Sequence, residues 1–182
     1  HASSEPEITE QETAESETAD SEPKIAGSGR ITGGEELSEG QREILMAFME
    51  AYYRSLAELE VQDCSDLFTE DTVHERFRAQ VDGTSWTAVT ENQSQASVHE
   101  AVWAIVVGMR RASGLDLHLL SYDFWLDCLD ISRQEDGCLQ VTAMEYADMR
   151  FAHTPDTESS VLGIWHSFVM KEVDGAWYLT HH

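Results

Sequence analysis

The chain has 182 residues, 35 of them acidic and 11 basic, for a formal charge of −24. That length accommodates one domain with a tail and a real core, and the charge argues against binding nucleic acid or an anionic bilayer through phosphate neutralisation. No run of about 18 apolar residues is present, so no segment reads as a membrane-spanning helix.

The chain begins at His1 rather than Met, as expected if an upstream signal or anchor has been removed. From His1 to about Ser38 it is built of Glu, Ser, Thr, Ala, Pro and Gly, and no aromatic residue occurs before Phe48. Such a stretch buries too little apolar area to offset its ordering entropy, so residues 1–37 are expected to form a disordered acidic tether. The folded domain is expected over 38–182.

Ser38-Glu39-Gly40-Gln41 has the form of a capping box. Behind it Ile44, Leu45, Phe48, Met49, Tyr52, Leu56 and Leu59 recur at helical spacing, predicting an amphipathic helix to about Glu60. Asp63 to Phe68 suits a short second helical turn. From Thr69 to Gln95 the pattern fades into an irregular segment, within which Val73 to Val81 fits a short strand or helix. Ser97-Val98-His99-Glu100 is a second capping box, and Val102, Ile105, Val106 and Met109 carry a second long helix to Ser113-Gly114.

Beyond Gly114 the period changes to two. Leu120, Tyr122, Phe124, Leu126 and Cys128 alternate with Ser121, Asp123, Trp125, Asp127 and Leu129, then Asp136-Gly137 turns the chain. Leu139, Val141, Ala143, Glu145, Ala147, Met149 and Phe151 mark the inner face of the next strand. Two further runs flank Asp174-Gly175, a pair that supplies the positive φ angles of a tight hairpin. In that register Met170 faces Leu179, Phe168 faces His181 and Glu172 faces Trp177, so one face carries Leu162, Ile164, His166, Phe168 and Met170. The fold class is α+β, with two long helices packed on a four-stranded antiparallel sheet. Cys64, Cys128 and Cys138 show no CxxC spacing, which favours partly buried thiols over a disulfide framework or a structural zinc site.

Ala51-Tyr52-Tyr53, the run from Glu60 to Phe68, Gly163-Ile164-Trp165-His166-Ser167-Phe168, and Asp174-Gly175-Ala176-Trp177-Tyr178-Leu179-Thr180 resemble the N-terminal segment of secreted Gram-positive amidases. There a small cone-shaped domain of the nuclear transport factor two-like (cystatin-like) type precedes the amidase domain. The resemblance covers roughly residues 41 to 182 and stops where the amidase domain would begin, so hydrolase activity is not carried over. It implies a curved sheet wrapped on helices, an extracytoplasmic setting and an accessory role.

Glu145, His166 and His181 fall on the predicted inner face, and Tyr52 lies on the inward stripe of the first helix. A carboxylate with imidazoles inside a cone is chemistry for a general base and proton shuttle, since burial moves both pKa values toward neutrality. Cone-shaped relatives include isomerases, dehydratases and cyclases with such pockets. The structural alternative, a polar cluster satisfying itself at the open end of the sheet, is preferred. Separations of about twenty residues carry no metal signature, and neither metal nor cofactor is expected. His74-Glu75 and His99-Glu100 read as surface pairs. Arg76, Arg78, Arg110 and Arg111 could grip an acidic ligand, though pairing with neighbouring Asp and Glu is the plainer explanation. Trp125 and Trp165 fall on the opposite sheet face among Asp123 and Asp127, as a contact surface would, or as packing under the Thr69–Gln95 segment would. The expected function is an extracytoplasmic, non-catalytic accessory domain contacting a protein or cell-envelope component, a second copy of the chain among the candidates. The alternative is a small-molecule binder or isomerase/dehydratase-type enzyme using the polar pocket.

Overall fold

The computed structural model describes residues 25–182 apart from 71, 82 and 83, and for 72–81 and 84–92 the backbone alone. The expected tether over residues 1–24 lies outside the described residues. Helix α1 (Glu39–Glu58) starts where the Ser38 side chain accepts from the Gln41 amide and the Gln41 side chain accepts from the Ser38 amide at 2.8 Å. It ends as Leu59 turns left-handed, with φ at 51°. A 3-10 turn over Ser65–Leu67 follows, at the expected place.

Three expectations are corrected beyond this point. The segment expected to be irregular is an antiparallel hairpin of β2 (Thr72–Val81) and β3 (Thr84–Ser94). Helix α2 (Gln95–Ala112) is capped by Ser94 rather than Ser97, with the Ser97 amide donating to the Ser94 hydroxyl. It buries Val98, Trp103 and Val107, so the inward stripe is rotated from the one expected. The third correction concerns the start of the domain, because Ala26–Gly33 is a strand, β1, and not part of a tether.

The remaining strands are β4 (Leu119–Arg133), β5 (Leu139–Phe151), β6 (Glu158–Val173) and β7 (Ala176–His181). The main sheet therefore has five strands in the order β1-β4-β5-β6-β7, four of them the expected antiparallel series and β1 added parallel to β4. Helix α1 touches β1 and β4 on one side and β7 on the other, so the sheet curls around it. Phe48 from α1 meets Phe168 of β6 edge-on at 5.9 Å, and Phe124, Val141, Phe168 and Met170 are fully buried beneath the helices. The β6–β7 turn is the expected one, with Asp174 and Gly175 at φ of 52° and 83°.

The curl is built from bulges, each an extra residue that bends a strand and reverses its alternation. Pairing slips at Leu120 and Leu129 in β4, at Gly163 in β6 and at Thr180 in β7. Three expected orientations fail for this reason. Leu119 rather than Leu120 is buried, and Leu162, expected inside, is 85% exposed while Val161 packs on the core. Ile164 keeps the expected side, paired with the buried Glu145, although it is 48% exposed. At the end of the hairpin Val169, not Phe168, pairs with His181.

Candidate functional site

The interior polar cluster is assembled from α1, β5, β6 and the end of β7, with α2 beside them. Glu145, in the middle of β5, is 2% exposed. Its Oε1 accepts the hydroxyl of Tyr53 from α1, and its Oε2 lies 2.6 Å from Nε2 of His166 on β6. The other nitrogen of His166, Nδ1, lies 2.6 Å from Nε2 of His182, just past β7. Ring stacking continues the chain: His182 sits 4.9 Å from His166, 4.6 Å from both Phe48 and Phe168, and 5.0 Å from His99 of α2.

The hydrogen-bond directions follow from the first acceptor. As a carboxylate Glu145 can only accept, so Tyr53 and His166 both donate to it. With a neutral imidazole at His166, Nδ1 accepts and His182 donates from Nε2. Among the described residues the lone pair on His182 Nδ1 then stands buried without a partner, as does Nε2 of His99. Burial dominates the electrostatics here. It lowers His182 to about 2 and His99 to about 4, with the neighbouring imidazoles acting in the same direction. Burial and then the Glu145 charge raise both Tyr52 and Tyr53 above the ordinary phenol range. Cys64, buried near Ala96, is pushed up to about 12, chiefly by desolvation.

Glu145 and His166 are thus brought together as expected, and two other expected members are not. His181 is exposed, pairs with Val169, and has its ring 3.3 Å from the neighbouring Thr180 hydroxyl. The Thr180 bulge turned it outward and placed His182 inside in its stead. Tyr52 packs against Trp103 and Tyr53, while Tyr53 makes the bond to Glu145. The signal for Tyr53 was available, since Leu45, Met49 and Tyr53 form an i, i+4 row. His99, read as a surface residue, is held against Phe48 and Phe68. The side chains of His74, Arg76 and Arg78 lie outside the described residues. Arg110 lies over the Phe151 ring at 5.2 Å. Among the described residues no group of three or more His, Cys, Asp or Glu side chains is placed to hold a metal ion, and no helix is long and apolar enough to cross a membrane.

The outer face of the sheet carries the second candidate. Register places Trp125, Tyr146 and Leu162 in one row across β4, β5 and β6, and Asp127, Met144 and Trp165 in the next. Trp165 is 65% exposed. Trp125 is half-buried, stacked on Tyr146 at 5.4 Å and covered by the Arg30 guanidinium at 4.7 Å. Among the described residues its cover comes from β1, an element the sequence patterns did not reveal. Arg30 is bound in turn by both oxygens of Asp123, at 2.9 and 2.8 Å, which holds that carboxyl below its usual range.

No family model and no curated protein matches the chain. Among solved structures it is similar to a candidate calcium/calmodulin dependent protein kinase II association domain from Xanthomonas campestris, at 14% identity, 81% coverage of this chain, 87% of that chain and a TM-score of 0.45. It is also similar to ActVI-ORFA from Streptomyces coelicolor, at 15% identity, 76% and 91% coverage and a TM-score of 0.43. Aln2 from another Streptomyces strain follows at 16% identity, 76% and 87% coverage and a TM-score of 0.39. These neighbours are nuclear transport factor two-like cone folds.

Proposed function

We propose that this domain is a non-catalytic accessory module that works outside the cytoplasm and binds a partner through the outer face of its sheet. The observation that carries the reading is a contrast between the two faces. Inside, Glu145 has both oxygens engaged by Tyr53 and His166 within an aromatic shell, as a polar cluster that fixes α1 to the sheet would. Outside, Leu162 and Trp165 stand in solvent beside Tyr146 and Met144, although burying such side chains is worth about 1.5–3 kcal/mol each. Exposed aromatic and aliphatic side chains at the centre of a face, with acids around them, are the composition of a contact site. The setting outside the cytoplasm rests on the resemblance to the N-terminal segment of secreted amidases, from which the accessory role also comes.

A second reading is favoured by one observation. The buried, unpartnered nitrogens of His182 and His99, backed by Glu145 and His166, are what a proton-accepting site for a small molecule would present. His166→Ala separates the two. On the accessory reading it lowers the melting temperature by several degrees, because it strips a donor from a buried carboxylate. A substrate turned over by the wild type and lost in His166→Ala at an unchanged melting temperature would favour the enzyme instead.

A further inference from the structure

Resting on the outer-face reading above, we propose that the partner seated on the Trp125–Tyr146–Leu162 and Met144–Trp165 rows is an amphipathic, cationic helix of another polypeptide. Three features of the face lead there: its size, its lack of free backbone groups and its charge.

The two rows span three strands, with five apolar side chains and Asp127 at the β4 end of the second row, which makes a field of about 15 by 10 Å at strand spacings of about 4.8 Å. That matches the apolar stripe of a helix over two to three turns, about 11–16 Å long. Backbone groups of β4, β5 and β6 are already spent on pairing within the sheet. An added strand would find no hydrogen-bond ladder on this face, whereas a helix satisfies its own backbone and needs only side-chain contact.

Charge selects the helix further. The rows are bordered by Asp123 and Asp148 on one side and by Asp130 on the other, and Asp127 closes the β4 end of the second row. Arg30 is held by Asp123 and lies flat over Trp125, so it adds to the stacking surface more than to the field, and Arg150 follows Asp148 on the same face, one row beyond the border. A second copy of a chain with a formal charge of −24 would bring like carboxylates against these, and the first 24 residues, with eight acids and one lysine, are repelled for the same reason. Lysines and arginines flanking a leucine stripe meet the opposite condition.

The test uses the full chain and a synthetic Leu/Lys amphipathic peptide of about three helical turns, with a Leu/Glu peptide of the same pattern as control. Binding is followed by tryptophan fluorescence and by peptide anisotropy. The expected result is saturable one-to-one binding of the Leu/Lys peptide, at least tenfold tighter than the Leu/Glu peptide. The Leu162→Ser/Trp165→Ser double variant should bind at least tenfold more weakly at an unchanged melting temperature, because both side chains are exposed. Equal affinity in wild type and double variant would show attraction by bulk charge and overturn the proposal, as would failure of the Leu/Lys peptide to bind. Sedimentation showing a wild-type dimer that the double variant dissolves would also overturn it, in favour of a second copy. That last outcome leaves the outer-face reading standing, whereas the His166→Ala turnover test decides only whether the interior cluster is catalytic.

Discussion

The hydroxyl of Tyr53, on α1, donates to Oε1 of Glu145, on β5, and so joins the main helix to the centre of the sheet by a polar contact inside an apolar core. The tyrosine ring also stacks on Phe124 at 4.8 Å, nearly parallel, and would keep this packing without its oxygen. Tyr53→Phe therefore isolates the hydrogen bond. It leaves a buried carboxylate oxygen without its donor, and the expected loss is about 1–3 kcal/mol of unfolding free energy. Urea denaturation measures it. A change under about 0.5 kcal/mol would mean that water or another donor replaces the hydroxyl. Tyr52→Phe, one residue earlier and without that bond, is the control and should be near neutral.

The helices, the strand faces around Phe124, Val141 and Phe168, and the Asp174-Gly175 turn were legible because each rests on a local pattern: a cap, a period or a turn pair. Bulges are not legible in that way, since one inserted residue leaves the composition of a strand unchanged while reversing every side chain after it. This is why Leu162 and His181 were assigned to the wrong side, and why His182 was missed. Strand β1 escaped for a different reason. Its sequence, AGSGRITG, has the glycines of a linker, and their purpose appears only when Tyr122 and Phe124 are seen lying over them. Glu145 and His166 were found because they sit on stretches of β5 and β6 where the alternation is unbroken up to the pairing slip at Gly163.

The imidazole cluster gives the fold a pH dependence with a definite sign. His182 and His99 have folded-state values of about 2 and about 4, below the 6.5 of the unfolded chain. The unfolded state therefore binds more protons below pH 6.5, and stability falls as the pH drops through that value. The two rings face each other and His166, with Phe48, Phe68, Trp103 and Phe168 completing the shell, and Glu145 reaches them only through His166. Each histidine contributes a slope of up to about 1.4 kcal/mol per pH unit until its folded-state value is reached. Carboxylates held low in the folded state, such as Asp123 and Asp136, add to the loss only further down, near their own range. Urea midpoints should thus fall between pH 6.5 and 5, and His182→Phe should flatten the fall by about half. An unchanged midpoint across that interval would show that the rings take up protons without leaving the core.

Gly29 of β1 is the position at which the added strand is most exposed to failure. It pairs with Phe124, and a Cβ placed on it would overlap the Phe124 ring, as one on Gly27 would overlap the ring of Tyr122. Phe124 is fully buried and stacked on Tyr53, so it has no room to retreat. In Gly29→Ala the strand must lift or the ring must move, at a cost of about 1–3 kcal/mol. The chain has a cheaper route than global unfolding, because β1 has a single neighbour, β4, and can detach as a unit. Hydrogen exchange should accordingly show Gly29→Ala losing amide protection over 26–33 while β5 and β6 keep theirs. The melting temperature should fall by a few degrees, and the Arg30 cover over Trp125 should open, which shifts tryptophan emission to the red. Uniform loss of protection through all five strands would instead show that β1 belongs to the same cooperative unit as the core, and that the domain cannot stand without it.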